Sequence, residues 1–90
     1  MNSLITDDEL NILNIFINLN KKLDKVCFFQ MLDANNKFEK MYLLTRSLVE
    51  KGILNREIQD IPYEGMLICT TVYTFGPVSD LLKEQGIINE

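Results

Sequence analysis

The sequence predicts an α+β fold in which helix predominates, in the order helix, short strand, helix, helix, hairpin, helix. Three observations carry this. Apolar residues recur at helical spacing as far as Lys51. After Gly52 that period gives way to two runs rich in Thr, Val, Ile and Tyr. Gly76-Pro77 then ends the second run and opens a last helix.

The first helix announces its start. Thr6-Asp7-Asp8-Glu9 has capping-box spacing, with Thr6 and Glu9 each serving the other's backbone N–H, and Ile5 and Leu10 stand where a hydrophobic staple places them. Leu10, Leu13, Phe16 and Ile17 then share one side, while Asn11, Asn14 and Asn18 form a polar stripe beside it. The acids Asp7, Asp8 and Glu9 complement the positive end of the helix dipole. The helix is expected to fade near Asn20, where Lys21 and Lys22 suit its negative end.

Lys25-Val26-Cys27-Phe28-Phe29 fits either a short strand or the start of a second helix; a short helix is expected over about Phe29 to Asp33, then a turn at Asn35-Asn36. Asn36 and Glu39 repeat the capping-box spacing and open the third helix, about Lys37 to Lys51. On a helical wheel Phe38, Met41, Tyr42, Leu44, Leu48 and Val49 fall on one half. Asn36, Glu39, Lys40, Arg46, Ser47 and Glu50 fall on the other, with one apolar residue, Leu43, among them. Gly52 is read as a left-handed C-cap, with Ile53 folding back on the last turn.

Ile53 to Ile61 and Met66 to Phe75 read as two strands, and Pro62-Tyr63-Glu64-Gly65 as the turn that makes them a hairpin. Pro77 suits the first turn of the last helix, in which Val78, Leu81 and Leu82 are expected to face inward. Gly86 closes that helix and Ile87 covers its end.

Ninety residues suffice for one core, and 47% apolar with 24% charged residues is a globular balance, so residues 1–90 are read as a single domain. The absence of a basic N-terminal stretch and of a long apolar run predicts a soluble, cytoplasmic chain with no signal peptide and no membrane partner. Cys27 and Cys69 sit in apolar stretches and are expected to be small buried hydrophobes. With no His, no Gly-rich phosphate loop and no metal-ligand spacing, the sequence predicts no enzyme, no cofactor and no metal. Net charge is −4, unevenly placed: −3 over residues 1–19, +4 over 20–56 and −5 over 57–90. A basic middle between acidic ends suits contact with phosphate.

The element order, together with Arg46-Ser47-Leu48-Val49-Glu50-Lys51-Gly52-Ile53-Leu54, resembles the winged helix-turn-helix superfamily of small bacterial, plasmid and phage regulators. Tyr73-Thr74-Phe75-Gly76 is similar to the junction between the wing and the last helix of such domains. The resemblance covers about Asp7 to Gly86. It implies three helices, a β-hairpin wing and a C-terminal helix, and a homodimer on double-stranded DNA, with the third helix in the major groove. Carried onto this chain, the reading residues are Asn36, Lys37, Lys40, Leu43 and Ser47, with Arg46 beside them. Lys21, Lys22 and Lys25 would hold backbone phosphate. The pattern departs at the wing tip: Asp60-Ile61-Pro62-Tyr63-Glu64-Gly65 has two acids and no base, which leaves Arg56 at the wing's root as the substitute. The expected roles are transcriptional regulation or plasmid and phage segregation. The alternative is an acidic protein-binding module, an inhibitor of a host factor on the same fold. The first and last helices with Ile87-Ile88 are the expected dimer surfaces.

Overall fold

A computed structural model describes residues 5–23, 25–35 and 38–88. Helix α1 spans Asp7–Asn20, and its capping box is formed in both directions. The Glu9 amide donates to Thr6 Oγ1 at 3.1 Å, and the Thr6 amide donates to Glu9 Oε1 at 2.8 Å. Its inward face buries Ile12, Leu13, Phe16 and Ile17; Ile12 was absent from the expected set.

Strand β1 (Val26–Cys27) runs directly into helix α2 (Phe28–Asn35), so both readings of that segment hold, two residues apart. Gln30 makes the switch local, because its Oε1 accepts the Cys27 amide at 2.8 Å as the helix begins. Helix α3 spans Phe38–Glu50. Met41 and Leu48 are fully buried as expected, but Tyr42 is exposed and Thr45 is buried in its place. Thr45 tolerates burial because its hydroxyl donates to carbonyls of its own helix, Met41 at 2.8 Å and Tyr42 at 3.1 Å.

The end of α3 is a Schellman cap. Gly52 has φ +76°, its amide donates to Val49 O, and the Ile53 amide donates to Leu48 O, both at 3.0 Å. Strands β2 (Leu54–Tyr63) and β3 (Met66–Phe75) then pair over their whole length, in a sheet ordered β1-β3-β2. The turn is shorter than expected. Tyr63 pairs with Met66, so only Glu64 and Gly65 turn, both at positive φ (50° and 81°), as a tight hairpin requires. Pro62 therefore lies inside β2, which is tolerable because β2 is an edge strand.

Helix α4 spans Ser79–Glu84. Leu82 and Ile88 are buried and Val78 is half-buried, but Leu81 is exposed, contrary to expectation; the inward positions of this short helix are Ser79 and Leu82, three residues apart. One core joins α1, α3, the strand roots and α4, with Phe16 set edge-on to Phe75 at 5.0 Å. A smaller cluster, Cys27, Ile61 and Val72 with Phe29 and Ile68, covers one face of the hairpin. Among the described residues helix occupies about half and strand about a quarter, so helix does not predominate as expected; the hairpin claims twenty residues in two fully paired strands. The order of four helices and three antiparallel strands is compatible with a winged helix. Among the described residues, no helix is long and apolar enough to cross a membrane.

Candidate nucleic-acid interface

The outward side of α3 carries Glu39, Lys40, Tyr42, Leu43, Arg46 and Glu50. Leu43 stands 58% exposed at its centre. Its cations are matched by carboxylates: Lys40 lies 3.6 Å from Asp8 of α1, and Arg46 Nε donates to Glu50 at 3.1 Å. Both pairs are well exposed, so each contributes on the order of 0–1 kcal/mol.

Ser47 differs from its neighbours. It is half-buried, and its hydroxyl donates to Glu9 Oε2. Glu9 is itself buried, and Lys51 reaches its other oxygen at 2.6 Å. Burial alone would raise this carboxyl's pKa, but the Lys51 ammonium, the Ser47 hydroxyl and the Thr6 amide hold it down at about 2. Ser47 thus ties α3 to the first turn of α1. Glu9, expected to close a capping box and complement a helix dipole, is also the hub of that tie. The capping-box spacing marks Glu9, but nothing local marks Ser47 or Lys51 as its partners.

The basic residues fall into separate groups. Lys21 and Lys22 lie in the turn after α1, and Lys25 lies just before β1; all three are exposed. Asp8, with its partner Lys40, lies at the opposite end of α1, and fourteen helical residues separate the two ends by roughly 20 Å. Lys21, Lys22, Lys25 and Arg56 form no ion pair with another described residue. Asn36 and Lys37 lie outside the described residues.

Arg46 and Arg56 do come together. Between α3 and the hairpin root lies a cavity of about 300 Å³, open on one side, which both arginines line with Phe28, Tyr42, Tyr73 and the two threonines Thr45 and Thr71. Arg56 stands directly across the ladder from Tyr73. Tyr73 is buried, which pushes its hydroxyl pKa upward, against the pull of its hydrogen bond with Thr45 and of the nearby Arg56 charge. Helical spacing hides Tyr42 and Thr45 as cavity residues, and strand alternation alone does not say that Tyr73 faces α3.

The far end of the hairpin is apolar and acidic. Ile58, Met66 and Leu67 are each about 70% exposed, and Asp60 and Glu64 are exposed among them. Cys69 is exposed there too, contrary to expectation, while Cys27 is buried as expected. Cys69 alternates with Ile68 along β3 and falls on the face that α2 does not cover. Among the described residues no three His, Cys, Asp or Glu side chains could together hold a metal ion. No protein-family model, no curated protein and no solved structure matches the chain.

Proposed function

We propose that the chain is a sequence-specific DNA-binding protein of winged-helix type that works as a homodimer, regulating transcription or serving plasmid or phage segregation. The observation that carries this reading is the junction at Gly52. It turns α3 straight into β2, leaving Lys40, Leu43 and Arg46 outward on the helix and Arg56 at the root of the wing. A helix of this length fits a major groove. Lys40 and Arg46 exchange weak surface carboxylates for phosphate or a guanine edge, and Leu43 meets a thymine methyl. Lys21, Lys22 and Lys25 add affinity without selectivity. A single ninety-residue domain makes few contacts, and two-fold symmetry doubles them.

Selection from random duplexes at two salt concentrations tests this. The full chain should enrich one motif, and Lys40→Ala or Arg46→Ala should weaken binding and make its salt dependence shallower by about 1 in log–log slope. A folded protein that enriches no motif at low salt sinks the proposal.

A second reading is a protein-binding module, favoured by one observation: the open hairpin face joins Ile58 and Leu67 to Asp60, and Glu64 lies at the tip. Such a surface suits an apolar, basic protein partner better than a minor groove, which repels acids. In that case the same selection returns nothing at any salt concentration.

A further inference from the structure

The cavity between α3 and the hairpin root has a composition that core packing does not account for. The chain contains only two arginines, Arg46 and Arg56, and both line it. It contains three tyrosines, and two of them, Tyr42 and Tyr73, line it as well. They arrive from separate elements. Tyr42, Thr45, Arg46 and Val49 follow one another along a flank of α3 at helical spacing, while Arg56, Thr71 and Tyr73 share one face of the hairpin. Phe28, at the start of α2, supplies a further aromatic wall. The polar groups at its floor are almost wholly buried: Thr45 is 2% exposed and Tyr73 4%. The Thr45 hydroxyl donates to the α3 carbonyls of Met41 and Tyr42, and the Tyr73 hydroxyl lies beside it.

We propose that this cavity is a binding site for a small planar organic monocarboxylate, a single ring bearing one acidic group. Arg46 and Arg56 both line the cavity; a guanidinium offers the fork that a carboxylate accepts, and Arg56 forms no ion pair with another described residue. Phe28, Tyr42 and Tyr73 offer faces and edges to a ring. A volume of about 300 Å³ lies at the small end of ligand pockets and admits one ring with its acid group. The acid lies at the mouth between the arginines, and the ring lies inward against Tyr73 and Val49. This site does not depend on the DNA-binding reading, since it is tested on the protein alone.

The experiment is isothermal titration calorimetry of the full chain with benzoate, in a buffer free of other carboxylates and of phosphate. Benzamide (the same ring without charge) and acetate (the same charge without a ring) are titrated alongside. Benzoate should saturate one site per chain and bind at least about tenfold more tightly than either control, the equivalent of one charge-assisted contact. Arg46→Ala and Arg56→Ala should each weaken benzoate by about the same factor. Both side chains are exposed, so both variants should keep the far-ultraviolet circular dichroism and thermal midpoint of the parent. The proposal is overturned if the folded parent shows no saturable benzoate binding, if benzamide binds as well as benzoate, or if Arg56→Ala leaves the affinity unchanged.

Discussion

Glu9 shows how one side chain joins two helices that lie far apart in the chain. It is a buried carboxylate facing an amide, a hydroxyl and an ammonium, and those donors hold its pKa at about 2 against an ordinary 4.5. Because the folded value is the lower one, the stabilisation is fully present above about pH 4.5. It declines as pH falls from there toward 2, where folded and unfolded states both protonate. A shift of that size corresponds to stability on the order of 3 kcal/mol as an upper bound. Glu9→Gln keeps the shape but loses the charge opposite Lys51, and should cost about 2 kcal/mol at pH 7 in a denaturant titration. The gap between parent and variant should close as the titration is repeated down to pH 2. A gap that stays constant across that range would show that the Glu9 charge contributes nothing. The consequence reaches the proposed reading face, because Ser47 and Lys51 belong to the last turns of α3 and its boundary, and Glu9 sets how that end of α3 sits on α1.

At the level of elements, the end of α3, the two strand ends and the start of α4 meet at one point. The Gly76 amide donates to Ile53 O at 2.8 Å and the Val78 amide to Gly52 O at 2.9 Å. A Cβ added at Gly76 would lie 2.2 Å from the Gly52 carbonyl oxygen, a backbone atom that cannot step aside, whereas one added at Gly65 would meet nothing. Gly76→Ala should therefore cost more than about 3 kcal/mol. Gly65→Ala should cost about 1 kcal/mol, from its positive φ alone. Denaturant midpoints for the two variants, measured side by side, decide the point: equal losses would mean the close approach is absent. These elements were legible to different degrees for a physical reason. The Thr6 capping box, the Gly52 cap and the Thr- and Val-rich run of β3 are signals within a few residues of what they predict, and they placed α1, α3 and β3 within a residue or so. Tyr42, Leu81 and Cys69 turned outward, and Thr45, which the wheel left unassigned, turned inward, because a wheel or an alternation gives a period and not the neighbour that will cover it. Least legible were the Glu9–Ser47–Lys51 tie, across about forty residues, and the cavity, whose lining residues come from four elements.

The whole molecule is elongated, 44 by 24 by 20 Å, and ten-residue strands account for roughly 33 Å of reach. One face of that hairpin is closed by Cys27 and Phe29, with Phe29 edge-on to Tyr63 at 5.0 Å; the other is open beyond Tyr73. Met66 and Leu67 are about 70% exposed, so a Met66→Ser, Leu67→Ser double variant should change the thermal midpoint by no more than a degree or two. The same variant should reduce any concentration-dependent self-association seen in sedimentation. A midpoint lowered by several degrees would mean that these side chains are covered in the folded molecule. The expected dimer surfaces stand differently: α1 and the tail spend Ile12, Phe16, Leu82 and Ile88 on the chain's own core, leaving Asn11, Asn14, Asn18 and Leu81 outward. Finally, the clasp between Gly52 and Gly76 has an architectural consequence. Everything from Leu54 to Phe75 leaves and re-enters the body through that single gate, so the hairpin is a cassette. Trimming or extending it by two residues on each strand preserves which side chains face α2, while a change of one on each would invert the faces. Surfaces of quite different chemistry can thus be mounted on the same frame by editing the distal half of the hairpin alone.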